Sequence, residues 1–443
     1  MRRAWKVLLI VLAVLVVVLV GGYTYERPLL VTGTGYAAHN ACAVRLLAHR
    51  PDPSQDLPGN PIRPLLKTTV SSDSATGSIL AVLGKQRAWY TAGFGCTLAD
   101  RRPDLGTPTK VSSGGNPYAA APSPPPATGA VGKALDHAFG TDLDAKSRAD
   151  LGTRAVLVVK DGRLVAERYA DGFDAHTPQL GWSMAKSATS LLVGRLVAEG
   201  KVSLDDDHLR PEWNDGRADI TVRELLQMTS GLSWDETYAL NTPITRMLYL
   251  EHDMGRYVAS RPLAHRPGTY QQYSSGSPTL LCSILATRTK EGADLPRREL
   301  FAPLGLASAV LEPDAVGTPV CSSYLWATPR DWAALGEFAL QDGVWNGKRL
   351  LPAGWMARTT TSVAVKTEED GYATGWWANK RVDGTLVHPS LPADTYFAEG
   401  HDGQWLVVIP SQKLVVVRLG FTPTRDSDRT IGLAADLVRA TGG

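Results

Sequence analysis

Two hairpin signals, far apart in the chain, constrain its fold most. Residues 154–159 and 163–169 have strand patterns on either side of Asp161-Gly162, a two-residue pair typical of β-hairpin turns. Residues 404–409 and 414–419 form a second strand pair near the end of the chain. The apolar patterns between the two hairpins are mostly helical. We therefore expect an α+β fold, in which both ends of the domain build one antiparallel sheet that is flanked by helices and holds a mostly helical insert.

A serine and a lysine three residues apart mark the start of one of these helices. In Gly181-Trp182-Ser183-Met184-Ala185-Lys186 the hydroxyl and the ammonium fall on one helical face. Ser183 lies at the helix N-terminus, where free N–H groups and the helix dipole favour a developing oxyanion. Lys186 can take the proton of the serine if burial lowers its pKa. Taken alone, the pair also fits an ordinary helix start with a solvated lysine.

Two more motifs place this pair in a known pattern. Tyr273-Ser274-Ser275 precedes an apolar helix, and His401-Asp402-Gly403 precedes a strand. With Ser183-x-x-Lys186, this order resembles the serine β-lactamase and penicillin-binding-protein superfamily, whose motifs are S-x-x-K, Y-x-N or Y-x-S, and K-T-G or H-x-G. The stretches 225–234 and 322–328 are similar to class C-like esterases and amidases of the 6-aminohexanoate-dimer hydrolase type.

The resemblance implies a fold and a set of roles. The fold is an α/β sandwich of the β-lactamase/transpeptidase type, and the activity is that of a serine hydrolase with an acyl-enzyme on Ser183. Lys186 and Tyr273 are both candidates for the base, and the sequence does not decide between them. The backbone N–H groups of Ser183 and Gln404 are expected to form the oxyanion hole. Tyr238 matches a tyrosine that contacts the scissile amide in aminohexanoate-type hydrolases, although a surface-packed loop tyrosine fits equally well.

Two departures from the usual motifs bear on the substrate. Ser275 stands at the asparagine position, where it would hydrogen-bond Lys186 or the substrate but lacks the amide. His401 replaces the third-motif lysine, and an imidazole lacks the permanent positive charge that would hold a substrate carboxylate. Gly403 is expected to let the strand backbone approach the substrate closely. We therefore expect a small-molecule carboxylic ester or amide as substrate, with β-lactamase or DD-peptidase activity as the alternative.

Two other interpretations compete with a β-lactamase-related hydrolase. Gly181-x-Ser183-x-Ala185 nearly matches the nucleophile elbow of α/β-hydrolases. That fold needs a buried strand before the serine, whereas residues 174–179 are polar and turn-like, and it has no role for Lys186. A non-catalytic module that binds penicillin or cell-wall peptides is the third interpretation. A sensor of this kind would have to pass a signal across the membrane, and the short basic flank leaves very little cytoplasmic chain to carry it.

The N-terminus indicates a membrane anchor. A positive flank with Arg2, Arg3 and Lys6 precedes the unbroken apolar run Val7–Val20. Gly21-Gly22-Tyr23 extends this run to the ~20 residues that a spanning helix needs. A cleaved signal peptide is the alternative, but no clear small-x-small cleavage site follows directly. With the basic flank inside, we expect a single span in the cell membrane and a periplasmic or extracellular catalytic domain; the alternative is secretion.

Proline, glycine and serine mark a linker further along the chain. Before it, two short strands are predicted over 78–83 and 87–94 with a turn at Gly84-Lys85. The predicted division is an anchor at 1–25, a small region without an assigned role at 26–102, the linker at 103–127, and the hydrolase domain at 128–443.

Cysteines and charge narrow the possible partners. The four cysteines, Cys42, Cys96, Cys282 and Cys321, suit an oxidising compartment and lack zinc-site spacing, so neither a metal nor a cofactor is expected. Three pairings are possible, of which Cys42–Cys96 with Cys282–Cys321 is preferred; four free thiols are the alternative. The net charge of +2 and the absence of a basic run argue against nucleic acid. The sequence does not indicate an oligomeric state.

Overall fold

The computed structural model describes residues 2–60, 62–368, 370–423 and 427–442. The helices in these residues are α1 (Arg2–Cys42), α2 (Gly129–Ala138), α3 (Ala145–Leu151), α4 (Met184–Ala198), α5 (Val222–Gln227), α6 (Pro243–Tyr249), α7 (Met254–Ala259), α8 (Gly276–Thr289), α9 (Ala302–Leu304), α10 (Pro329–Leu340), α11 (Trp355–Thr359) and α12 (Ser427–Thr441). The strands are β1 (Leu66–Val70), β2 (Ser74–Ile79), β3 (Leu83–Thr91), β4 (Gly95–Leu98), β5 (Thr153–Lys160), β6 (Arg163–Tyr169), β7 (Gln179–Leu180), β8 (Tyr270–Gln271), β9 (Val310–Leu311), β10 (Leu325–Ala327), β11 (Val344–Trp345), β12 (Lys348–Arg349), β13 (Lys366–Thr367), β14 (Trp377–Ala378), β15 (Tyr396–Gly400), β16 (Gln404–Ile409) and β17 (Leu414–Gly420).

The central sheet joins strands from both ends of the hydrolase part. Its order is β14-β15-β16-β17-β5-β6, and each of its pairs is antiparallel. Asp161 and Gly162 make the β5–β6 turn with φ values of 51° and 74°, as the Asp-Gly pair predicts. Along β5, Leu157 and Val159 pack with the α4 and α10 side, whereas Val156 and Val158 pack with α2 and α12. The expected sandwich, with helices on both faces and a helical insert, is confirmed.

Helix α1 extends well past the predicted anchor. Its segment 7–20 is exposed and apolar, and the helix continues without a break to Cys42. From Val31 onward its side chains are mostly buried, and Ala38 and Cys42 belong to the same core cluster as α4. One helix therefore provides both an exposed apolar segment and part of the protein interior.

The sheet β1–β4 packs against α1, and its hairpin turn lies elsewhere than predicted. The predicted turn at Gly84-Lys85 is wrong, because β2 ends at Ile79 and β3 begins at Leu83. Gly84 does have a positive φ of 55°, but it lies in the strand, where its carbonyl accepts a 2.5 Å hydrogen bond from Thr34 Oγ1 of α1. The glycine therefore provides a positive φ within a strand that contacts the helix, rather than a turn.

Residues before the hydrolase part contact it directly. Cys96 N donates to Glu312 Oε1 (2.7 Å), and Thr97 Oγ1 donates to the Pro313 carbonyl (3.0 Å). Within the predicted linker, Asn116 Nδ2 donates to Asp331 Oδ1 (2.7 Å). The linker at 103–127 stays a prediction. Through these buried hydrogen bonds, the chain before residue 128 contacts the hydrolase part.

Two disulfides complete the fold. Cys42 bonds Cys96 and thereby ties the end of α1 to β4, while Cys282 on α8 bonds Cys321 shortly before β10. This is the preferred one of the three possible pairings.

Candidate active site

The segment before α4 forms a tight turn that presents Ser183. Trp182 has φ 47°, a left-handed conformation that costs a residue with a side chain about 1 kcal/mol. Two glycines pack closely around this turn. A Cβ on Gly181 would lie 2.2 Å from the Trp332 ring, and one on Gly400 would lie 2.1 Å from the Gly181 carbonyl oxygen. The surrounding structure therefore fixes the position of Ser183 before α4 begins at Met184.

Lys186 lies one turn into α4 and is 2% exposed. Its Nζ is 2.8 Å from Ser183 Oγ, 2.9 Å from Ser275 Oγ and 3.1 Å from the Ser322 carbonyl oxygen. The sequence motifs thus bring Ser183, Lys186 and Ser275 into one hydrogen-bonded cluster. The Ser322 contact could not be expected from the motif positions alone.

The two candidate bases have opposite pKa shifts. Burial lowers the pKa of Lys186 to about 8, and the charge of Glu236 partly opposes this shift. Burial, with the Tyr372 and Glu236 charges, raises the pKa of Tyr273 well above its ordinary value. Tyr273 faces the lysine, since Lys186 Nζ lies 4.8 Å from the centre of its ring. Near neutral pH, an appreciable fraction of Lys186 is a neutral amine, whereas Tyr273 is a neutral phenol.

Glu236 is the functional candidate that sequence reasoning missed. Its Oε1 accepts a 2.5 Å hydrogen bond from Ser275 Oγ, and its Oε2 accepts from Ser275 N (2.8 Å) and Trp234 Nε1 (2.6 Å). Ser275 precedes α8, so the carboxylate also lies at the N-terminus of that helix, which favours negative charge. A hydrogen-bonded chain therefore runs from Ser183 through Lys186 and Ser275 to Glu236. No sequence motif marked this residue; its only signal was a place in the loop that also carries Tyr238.

Aromatic side chains form one wall beside the nucleophile. The Tyr238 ring stacks on His401 with 4.5 Å between ring centres, and both rings meet Trp182 edge-on at 6.2 and 5.7 Å. The hydroxyl of Tyr238 is buried beside the hydroxyls of Ser275 and Ser323. Behind this wall, Tyr36 of α1 meets Trp182 edge-on at 6.2 Å. Helix α1 therefore supports the active site directly.

The third motif forms the turn between β15 and β16, directly before the strand that the sequence predicts. Gly403 has φ 81°, and a Cβ there would lie 2.5 Å from Arg418 Nη1, so the glycine makes room for the arginine as well as bordering the cleft. The Gln404 side chain points into the protein, where it donates to the carbonyls of Asp402 (3.0 Å) and Gly420 (2.7 Å). These bonds fix the loop that carries His401.

The cluster opens into a cleft of about 630 Å³. Its lining is aromatic and acidic, and its only basic side chains among the described residues are His388 and His401. The acidic residues of the lining are Asp235, Glu236, Glu368, Asp370, Glu399 and Asp402. The aromatic ones are Trp234, Tyr238, Tyr273, Trp377, Phe397 and Trp405. Such a cleft suits a substrate with apolar parts and without a negative charge.

The two disulfides are expected to differ in their effect on this site. Each closes a loop of tens of residues, so replacing either pair by alanine should lower the free energy of unfolding by about 4 kcal/mol. Cys321 is next to Ser322, whose carbonyl binds Lys186, and Cys282 is on the helix that begins after Ser275. Only Cys282→Ala/Cys321→Ala should therefore also lower kcat.

The measurement is urea unfolding together with ester hydrolysis at a temperature where both variants stay folded. Cys42→Ala/Cys96→Ala is the matched control, since it opens a loop of similar length away from Lys186. Equal kcat values in the two variants would contradict the expected coupling.

Comparison with known proteins agrees with this geometry. The family model for beta-lactamase matches residues 143–439. The protein named "6-aminohexanoate-dimer hydrolase" from Paenarthrobacter ureafaciens is 25% identical over 319 residues, which cover 65% of this chain and 77% of that protein. "Protein flp" of Staphylococcus aureus strain N315 is 24% identical over 303 residues, covering 60% of this chain. The chain spans 58% of the length of the latter.

Solved structures share the fold. A Bacillus anthracis protein assigned to the 6-aminohexanoate-dimer hydrolases superposes with a TM-score of 0.59 at 22% identity, covering 76% of this chain and 92% of its own. A penicillin-binding-protein homologue from Caulobacter crescentus has a TM-score of 0.55 at 16% identity, with coverages of 72% and 99%. A class C beta-lactamase has a TM-score of 0.54 at 16% identity, with the same two coverages.

Proposed function

The chain belongs to the β-lactamase family and is a serine hydrolase, and on that premise we propose that it cleaves a carboxylic ester or amide through an acyl-enzyme on Ser183. The observation that carries the proposal is the 2.8 Å contact between Ser183 Oγ and Lys186 Nζ, at a lysine that burial makes a usable base. This arrangement of nucleophile and base is what acyl transfer requires.

Each group then has a defined role. Neutral Lys186 takes the proton of Ser183 while Oγ attacks the substrate carbonyl, and the backbone N–H groups of Ser183 and Gln404 stabilise the oxyanion. The ammonium of Lys186 returns the proton to the leaving alcohol or amine. Water then hydrolyses the acyl-enzyme, with Lys186 again as the base. The Tyr238 hydroxyl, which is buried beside Ser275 and Ser323, is our candidate donor to the leaving group.

Lys186 is our candidate for the base, and this choice predicts the pH dependence. A base must be unprotonated to act, so kcat/KM should rise with pH through the lysine pKa of about 8. The Glu236 charge raises that pKa, so Glu236→Gln should move the rising limb to lower pH. The measurement is kcat/KM for a p-nitrophenyl ester from pH 5 to 10.

Glu368→Gln is the control for this experiment, because Glu368 borders the same cleft but bonds the Tyr270 hydroxyl instead of Ser275. The rising limb of kcat/KM against pH in Glu368→Gln should stay at the pH where the parent protein has it. A Glu236→Gln limb that does not move, or that moves to higher pH, would exclude the electrostatic link between Glu236 and Lys186.

The charge of the cleft supports a neutral or cationic substrate over a penicillin. Six acidic side chains line it without a permanent cation among the described residues, and the carboxylate of a penicillin would be repelled. The test is hydrolysis of p-nitrophenyl butyrate, a short linear amide and nitrocefin by the full chain in detergent. We expect turnover of the ester or the amide and little of nitrocefin. Turnover of nitrocefin alone would favour the alternative, a β-lactamase or DD-peptidase.

We also propose that α1 anchors the enzyme in the cell membrane with the catalytic part outside the cytoplasm. This helix is long enough and apolar enough to cross a membrane, and its most apolar segment is not buried in the protein. Two disulfides fit an oxidising compartment. Sedimentation of the full chain with washed membranes after carbonate extraction tests the anchor. Release of a shortened protein into the medium would instead favour a cleaved signal.

A further inference from the structure

The turn between β2 and β3 is apolar and exposed. Leu80, Val82 and Leu83 are 58%, 67% and 40% exposed. Leu65 lies beside them, since its carbonyl accepts a 3.0 Å hydrogen bond from Leu80 N, and it is 42% exposed. We call Leu65, Leu80, Val82 and Leu83 the apolar tip. Large apolar side chains clustered on a protruding turn expose a continuous surface that water disfavours.

The backbone of this turn makes the apolar residues more unusual. Leu80 and Ala81 have φ values of 47° and 69°, and Val82 N donates to the Ile79 carbonyl (3.1 Å). Positive φ at both central positions is the type I′ geometry that prefers Asn-Gly. Residues with a Cβ cost roughly 1 kcal/mol each in this conformation. Neither solubility nor turn chemistry accounts for leucine and alanine here.

The hairpin points toward the exposed end of α1. A Cβ on Gly77 would meet Thr34 and Ala38, whereas one on Gly84, nearer the turn, would meet Leu30 and Val31. The hairpin residues nearer the turn therefore contact residues of α1 that are nearer its N-terminus. The apolar tip lies beyond Gly84 in this direction, beside the part of α1 that precedes Leu30.

This position corresponds to the surface of the bilayer. A span of about 20 residues from Ala4 ends near Tyr23, and Leu30 is about 10 Å further along the helix. The tip extends back from Gly84 by about two strand residues, or roughly 6 Å. It therefore reaches the headgroup layer, which is about 5 to 7 Å thick on each side of the hydrocarbon.

Charge around the hairpin favours an anionic surface. Between residues 57 and 99 the basic side chains are Arg63, Lys67, Lys85 and Arg87, and the only acidic one is Asp73. Lys85 lies two residues after Leu83 of the tip, so it can reach lipid phosphates while the tip contacts the acyl chains.

We propose that the apolar tip inserts into the headgroup layer of the membrane that α1 spans, with anionic phospholipid as its partner. The inference rests on the proposed anchor, because α1 places the tip at the membrane. A single helix leaves the domain free to tilt and rotate, whereas a second contact beside it fixes one orientation. Since Tyr36 of the same helix supports Trp182, this contact also fixes the active site relative to the membrane.

The test uses the full chain in nanodiscs that contain phosphatidylglycerol. All four native cysteines are in disulfides, so an introduced cysteine can be labelled alone with an environment-sensitive fluorophore. The labelled variants are Val82→Cys at the tip, Val14→Cys in the proposed span, and Val316→Cys as a control. Val316 is 60% exposed and lies near Pro313, at the Cys42 end of α1, away from the tip.

Lipids that carry a nitroxide near the headgroup or deep in the acyl chain then report depth. We expect Val82→Cys to be quenched most by the shallow nitroxide, Val14→Cys most by the deep one, and Val316→Cys by neither. Quenching of Val14→Cys without Val82→Cys overturns the tip contact and leaves the anchor intact. Absence of quenching at both sites overturns the anchor and the tip together. A blue-shifted but unquenched Val82→Cys label would mean that protein, not lipid, covers the tip.

Discussion

Ser183→Ala is expected to abolish hydrolysis, with a loss of at least ~10⁴-fold in kcat for the best ester or amide substrate. The substitution removes the serine hydroxyl of the cluster that borders the cleft, while Lys186 keeps its contacts to Ser275 and Ser322. Mass spectrometry after rapid acid quenching provides a second measurement. The parent protein should gain the mass of the acyl group, and the variant should not.

Ser190→Ala is the matched control for this experiment. Ser190 is a fully buried serine of the same helix, and its hydroxyl has no hydrogen-bond partner among the described residues. Its removal should leave both kcat and the acyl-enzyme unchanged. Ester hydrolysis by folded Ser183→Ala at the rate of the parent would mean that another nucleophile does the chemistry.

The motifs predicted the centre of the site because each one depends on local geometry. Ser183 and Lys186 are three positions apart, which places both on one helical face, and the observed 2.8 Å contact follows from that spacing. The sheet could also be predicted, since strand periodicity and the Asp161-Gly162 turn are properties of short segments. The contact between Ser275 and Lys186 was predicted from the family resemblance, because no local sequence pattern indicates it.

Long-range contacts could not be predicted from the sequence, and the reason is physical. Glu236 acts through Ser275, 39 residues away in the chain, and nothing in its neighbourhood distinguishes it from a solvated loop glutamate. The length of α1 was also missed. An apolar run predicts where a helix can cross a membrane, whereas the burial of Val31 and Ala38 depends on a sheet and a core that form from distant residues. The β2–β3 turn also lies elsewhere than predicted, because the positive φ of Gly84 belongs to a strand residue whose carbonyl binds Thr34 of α1.

Lys186→Met is expected to lower kcat by about 10⁴-fold, at the upper end of what general-base catalysis contributes. Methionine fills a similar volume in the buried site, so the fold should persist while Ser183 loses its proton acceptor. The residual rate should also lose the rising pH limb near 8, because the group that titrates there is gone. Ester hydrolysis across the pH range, with thermal unfolding to confirm the fold, is the measurement.

Two further variants separate a proton acceptor from a positive charge at this position. Lys186→Arg keeps the charge but cannot lose a proton near neutral pH, so it should be as inactive as the methionine variant. Tyr273→Phe should be less damaging, because the raised pKa of Tyr273 leaves its phenol protonated where the enzyme works. If Lys186→Arg stays active and Tyr273→Phe is inactive, then Tyr273 is the base and Lys186 only supplies charge. The opposite result assigns the proton transfer to Lys186, since an amine with a pKa of about 8 beside Ser183 Oγ can both accept a proton and return it near neutral pH.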